Sequence, residues 1–92
     1  MRIRWTPLAV SNLKIISVHL ERQRNLGTAN RICRAVYDTI QILRRFPESG
    51  KMGIEEGTRE LVVAKLPYIV VYRLLSTETL EILRIWHGAQ ER

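Results

Sequence analysis

The chain contains a single cysteine, Cys33, among its 92 residues. That excludes an intrachain disulfide and any zinc site built from several thiolates. Acidic side chains are scarce, with nine Asp and Glu against fifteen Lys and Arg. No long apolar run is present, so no segment reads as membrane-spanning. The opening Met1-Arg2-Ile3-Arg4-Trp5 lacks the apolar core of a secretory signal, and a reducing cytoplasm is the expected location. No repeat or low-complexity stretch interrupts the chain, and its length allows one domain, residues 1–92.

What the sequence does have is basic charge. The formal net charge is +6, and twelve of the fifteen basic residues are arginine. Arginine makes planar bidentate contacts to phosphate and carboxylate that lysine cannot make. The bias points to a polyanionic partner, either nucleic acid or an acidic protein segment. A basic surface that serves solubility alone explains the charge equally well. The hydrophobic fraction of 46% is that of a folded protein.

Ile3-Arg4-Trp5 alternates as a short strand does. Thr6 reads as an N-cap with Pro7 at the first helical position. Ala9, Leu13, Ile16 and Leu20 then form one helical stripe over about residues 7–24, and Asn25-Leu26-Gly27 supplies the stop. Thr28 reads as the cap of a second helix over about residues 28–45. Its stripe is Ala29, Ile32, Cys33, Val36, Ile40 and Leu43, and Phe46-Pro47 ends it. The short link predicts an antiparallel helical hairpin.

After a loop holding Gly50, Gly53 and Gly57, the apolar period switches from helical to alternating. Residues 58–64, 68–74 and 80–86 read as strands of an antiparallel meander. The class is therefore α+β in the order β-α-α-β-β-β, a helical hairpin packed on one face of an antiparallel β-sheet. The expected core is Leu13, Ile16, Leu20, Ile32, Val36, Ile40, Leu43, Leu83 and Ile85. Unbroken alternation in the last strand places Leu83, Ile85 and His87 on one face, and Ile82, Arg84 and Trp86 on the other.

Several stretches, in order and at matching spacings, resemble the RelE/ParE superfamily of toxins from type II toxin–antitoxin systems. They are Trp5-Thr6-Pro7 with Ala9 and Leu13, then Phe46-Pro47 with Gly50, then Arg59-Glu60-Leu61. Pro67-Tyr68-Ile69-Val70-Val71-Tyr72-Arg73 and Ile82-Leu83-Arg84-Ile85-Trp86-His87-Gly88-Ala89 complete the set. The resemblance implies a toxin neutralised by a cognate acidic antitoxin in a hetero-oligomer. RelE-like members cleave messenger RNA at the ribosome, and ParE-like members inhibit DNA gyrase. RNA-cleaving members commonly carry a tyrosine near the C-terminus. Here His87 is followed by Gly88-Ala89-Gln90-Glu91-Arg92, without one. The His-Gly-Ala ending resembles the ParE-like branch, so gyrase is the expected target. A ribosome-dependent messenger-RNA endoribonuclease is the alternative.

A metal-free ribonuclease must activate a 2′-hydroxyl, stabilise an anionic phosphate and protonate the leaving oxygen. The candidates for such work are His87, Arg59, Arg73 and Arg84. Arginine can hold the phosphate but is a poor base, because it stays protonated. His87 can exchange a proton, yet one histidine without a second donor is a thin active site. A strand-ending histidine bonded to backbone explains it as well. For antitoxin or target binding the candidates are Arg59, Lys65, Arg73, Arg84 and Trp86. Two helices shield only one face of a sheet, so the other face should offer apolar ground beside arginines. Trp86 and Tyr72 also admit a core-packing reading. His19 reads as solvated, Cys33 as a small buried hydrophobe. Arg44-Arg45 suit the negative end of a helix dipole. No metal or cofactor is implied. A plain nucleic-acid-binding module lacks support, since no helix-turn-helix or RNP-type signal is present.

Overall fold

In the computed structural model, which describes residues 1–88, the chain runs through two helices and five strands. They are β1 (Arg2–Trp5), α1 (Pro7–Gln23), α2 (Leu26–Ile42), β2 (Lys51–Met52), β3 (Arg59–Val62), β4 (Tyr68–Leu74) and β5 (Thr79–His87). The sheet order is β1-β5-β4-β3-β2. The last three strands pair antiparallel in sequence order, as the alternating stretches predict. The sheet as a whole is mixed, because β1 joins β5 in parallel. The connection between these two parallel strands runs through α1, α2 and the three strands β2–β4.

The Thr6 side chain caps α1 by accepting from the Ala9 N–H at 3.0 Å, with Pro7 in the first turn. The cap of α2 is Asn25, not Thr28: its Oδ1 accepts from the Thr28 N–H at 2.7 Å. Asn25 therefore opens the second helix instead of closing the first, and Gly27 lies inside the first turn. An Asn three residues before a Thr leaves two good caps in competition, and the earlier one wins. At the other end, α2 stops at Ile42, and turns carry the chain on to Phe46.

The core lies between the helices and one face of the sheet. Val36, Ile40 and Leu43 of the α2 stripe meet Val70 and Tyr72 of β4 and Leu80, Ile82 and Ile85 of β5. Leu13, Ile16 and Leu20 of α1 pack against this cluster while half-buried. Each fully buried aliphatic side chain contributes about 1.5–3 kcal/mol, so truncating one to alanine costs roughly 2–5 kcal/mol. Cys33 is half-buried, not sealed in the core. Tyr37 faces solvent.

One expected core residue is displaced. Leu83 is only half-buried, and Ile82 takes its place with no exposure. The pairing shows why: Tyr72 lies opposite Ile82, whereas Val71 lies opposite Arg84. Leu83 is thus the extra residue of a β-bulge, and the two-residue alternation is broken there. Ile82 and Ile85 both face the helices, while Arg84 and Trp86 keep the other face. The expectation that Ile82 would share a face with Arg84 fails for this reason. Helix α1 satisfies the backbone around the bulge. Thr6 Oγ1 donates to Leu83 O at 2.8 Å, and Asn12 Oδ1 accepts from the Ile85 N–H at 2.9 Å. β1 pairs with β5 only as far as Ile82, so the cap residue Thr6 and Asn12 of α1 take over where the ladder ends.

Candidate functional site

Direct cross-strand pairs share a face, so the registers define the open side of the sheet. Val62, Ile69 and Trp86 lie in one row, then Glu60, Val71 and Arg84, then Arg73 and Glu81. This face is apolar at its Val62–Ile69–Trp86 end and carries both Arg73 and Arg84. Val71 and Glu60 are buried on it although no helix covers them. The loop from Gly53 to Thr58 accounts for this by folding back over the sheet. Ile54, Glu55 and Thr58 wall a cavity of about 280 Å³ with Val71, Arg84 and Trp86. The Glu55 carboxylate accepts a hydrogen bond from Arg84 Nη2. The Arg84 guanidinium also lies 5.5 Å from the Trp86 ring centroid, within cation–π range. Its buried Nε has no hydrogen-bond partner among the described residues. Arg73 pairs with Glu81 at 3.3 Å and is far more exposed.

Arg59 does something different. It is paired with Tyr72 and so belongs to the helix side. Its Nη1 donates to Gly50 O at 2.9 Å and to Glu48 O at 3.2 Å. Tyr72 holds the same loop: its hydroxyl donates to Pro47 O at 2.8 Å and accepts from the buried Gly50 N–H at 2.9 Å. Burial raises the Tyr72 hydroxyl above its ordinary range, with the Gly50 bond and the Arg59 charge opposing in part. Gly50 permits this closeness, since a Cβ there would meet the Tyr72 hydroxyl at 2.7 Å and Glu60 O at 2.9 Å. Arg59 and Tyr72 thus anchor the segment between α2 and β2.

His87 ends β5 opposite Tyr68, on the helix side. The two rings meet edge to face, with centroids 5.4 Å apart and planes at 86°. Lys65 lies at the same end of the sheet, in the β3–β4 connection, with a left-handed backbone at φ 63°. The structure therefore brings Arg73, Arg84 and Trp86 onto one face. It does not bring Arg59, Lys65 or His87 to them. Ala89 of the His87-Gly88-Ala89 ending, with residues 90–92, lies outside the described residues.

A family model described as "ParE toxin of type II toxin-antitoxin system, parDE" matches residues 3–92. The chain belongs to the ParE toxin family. A Sinorhizobium fredii protein described as "Putative toxin Y4kP" is 36% identical over 90 residues, covering 98% of this chain and 91% of its own length. A solved structure described as "Chromosomal ParDE TA system from P. aeruginosa" matches the fold with a TM-score of 0.84. It is 21% identical over 95% of each chain. Among the described residues, no helix of this ParE-family chain is long and apolar enough to cross a membrane.

Two features of this face are not legible as sequence motifs. Glu55 lies in a glycine-rich loop, and nothing in its neighbourhood announces a partner 29 residues away. The bulge at Leu83 is equally silent, because Leu83 has the same apolar character as its neighbours.

Proposed function

We propose that this chain is a gyrase-inhibiting toxin held inactive by a cognate acidic antitoxin that covers the open face of the sheet. The observation that carries the non-catalytic reading is the separation of the candidate catalytic groups. Cleavage needs a proton donor or acceptor within about 3 Å of a group that also contacts the phosphate holders. His87 lies on the helix side, Arg84 and Arg73 on the open side, and Arg59 is committed to the Pro47–Gly50 loop. Such a layout suits recognition of another protein better than chemistry. The resemblance to the ParE-like branch of the superfamily supplies gyrase as the target.

The antitoxin reading rests on complementarity. The open face offers Val62, Ile69 and Trp86 as apolar ground with Arg73 and Arg84 beside them. An acidic amphipathic segment would bury the first and pair with the second. Opposite charges speed the encounter, whereas desolvated apolar contacts slow dissociation. The test is to assay purified toxin for inhibition of gyrase supercoiling and for cleavage of ribosome-bound message, with and without antitoxin. Supercoiling should be lost, message should stay intact, and antitoxin should restore supercoiling. Untouched supercoiling with cut message would overturn the target.

A further inference from the structure

A second region carries chemistry that neither the toxin reading nor the family description uses. At the end of the sheet where β5 stops, α1, the start of α2 and the β3–β4 connection enclose a two-part cleft. One part, of about 570 Å³, is lined by Gln23, Arg24, Thr28 and Arg31. The other, of about 400 Å³, is lined by Asn12, Ile15, Ile16 and Ile85. His19, Tyr68 and His87 line both parts. In the sequence His19 reads as merely solvated, since nothing in the linear order links it to a residue 68 positions on. The fold places both histidines of the chain on one cleft.

The charge is one-sided. Among the described residues, no acidic side chain lines either part. The ion pairs among the described residues use Arg34, Arg73 and Arg84, not Arg24 or Arg31. Arg24 and Arg31, which have no ion-pair partner among the described residues, line the same concave site, and an anion placed between them would offset their mutual repulsion. The Tyr68 hydroxyl is a neutral hydrogen-bond donor at physiological pH, as any tyrosine is, and burial raises it further. The donors fit an anion with several acceptor oxygens. The apolar part, floored by isoleucines and flanked by two rings, fits a flat uncharged group attached to that anion.

We propose that this cleft binds the phosphate of a nucleotide unit, with Arg24, Arg31 and His19 on the phosphate and the Ile15–Ile16–His87 side on the base or sugar. The ligand chemistry is the same for a free nucleotide and for one unit of a nucleic-acid strand. An acidic peptide fits less well, because the Tyr68 and His87 rings beside the apolar part match a flat base better than an aliphatic side chain.

The test uses the full-length toxin and a fluorescein-labelled single-stranded deca-thymidylate, followed by fluorescence anisotropy across ionic strength. Arg24→Gln with Arg31→Gln should weaken binding at least about tenfold and lower the log–log salt slope by about 1.4, at roughly 0.7 per lost contact. Arg2→Gln with Arg45→Gln removes the same charge at the opposite end of the molecule and should leave the slope near its original value. All four side chains are exposed, so folding should survive, and circular dichroism checks it. Equal loss in the two double variants would overturn the site, since only net charge would then matter. Oligoglutamate competing as well as the oligonucleotide, and losing affinity equally in the cleft variant, would also overturn it. In nitrogen-15 spectra the oligonucleotide should shift His19, His87 and Thr28; shifts confined to Arg84 and Trp86 would refute the location. Thymidine monophosphate separates the sources. Affinity comparable to that of the strand assigns a free nucleotide, and much weaker affinity assigns the strand.

Discussion

Replacing Tyr72 with phenylalanine removes one oxygen from a side chain with no solvent exposure. That oxygen serves two backbone groups, donating to Pro47 O at 2.8 Å and accepting from Gly50 N at 2.9 Å. Gly50 is buried, so its N–H cannot turn to water instead. A buried donor left unsatisfied costs about 1–3 kcal/mol, and the lost bond to Pro47 adds about 1 kcal/mol. The expected loss is therefore about 2–4 kcal/mol. A chain of this length has roughly 5–14 kcal/mol in total, so the change is severe but survivable. At about 4–8 °C per kcal/mol the melting temperature should fall by at least about 8 °C. Arg59→Ala loosens the same loop, yet should cost less, because its bonds to Glu48 and Gly50 lie nearer solvent. Urea unfolding and calorimetry of the two variants read both effects. A Tyr72→Phe loss below about 0.5 kcal/mol would refute the hydroxyl's role as the loop anchor.

Gly50→Ala should destabilise by about 1–3 kcal/mol, because its Cβ would press on the Tyr72 ring and on the Glu60 backbone, which cannot swing away; urea midpoints decide it. Stability should decline as pH rises beyond about 10, the ordinary tyrosine value. Tyr72 and Tyr68 are both raised in the fold, so their contribution is complete below the unfolded value and lost as pH climbs through the folded one. Tyr72→Phe should flatten that alkaline slope in unfolding curves; an unchanged slope would exclude Tyr72. Arg73→Glu should slow association with antitoxin several-fold and reduce its salt dependence, whereas Arg84→Glu should mainly speed dissociation, since Arg84 is the more buried. Surface plasmon resonance separates the two rates.

The helical hairpin and the three C-terminal strands were readable because their apolar periods are long and unambiguous. The stripe Ile32, Val36, Ile40, Leu43 repeats at helical spacing, and all four residues are buried. Two things escaped for physical reasons. Asn25 and Thr28 are comparable caps, and a choice between them depends on how α1 closes on Arg24, not on either residue alone. The bulge at Leu83 depends on long-range partners: Thr6 and Asn12 reach it from 77 and 73 residues away. A periodicity argument assumes one residue per pleat and cannot register an extra one. Its error fell on Ile82 and Leu83 alone, and Arg84 and Trp86 still oppose Ile85 and His87 as alternation predicts.

The bulge lets one strand serve the core and both faces of the sheet. Without the extra residue, Ile82 would share the side of Arg84 and Trp86, and the core would lose a fully buried side chain. With it, β5 supplies Ile82 and Ile85 to the core, Arg84 and Trp86 to the open face, and His87 to the cleft. Two charged regions therefore lie on opposite sides of one sheet and share no residue. Sites without common partners couple by less than about 0.5 kcal/mol, roughly twofold in affinity. At physiological salt the screening length is about 8 Å, which weakens crosstalk through the protein's overall charge. An antitoxin segment confined to the open face should leave oligonucleotide binding within about twofold of the free toxin. Anisotropy titrations of free toxin and of the preformed toxin–antitoxin complex make the comparison. If antitoxin displaces the oligonucleotide stoichiometrically, it must reach the Arg24–Arg31 cleft, and the open face is not its whole footprint.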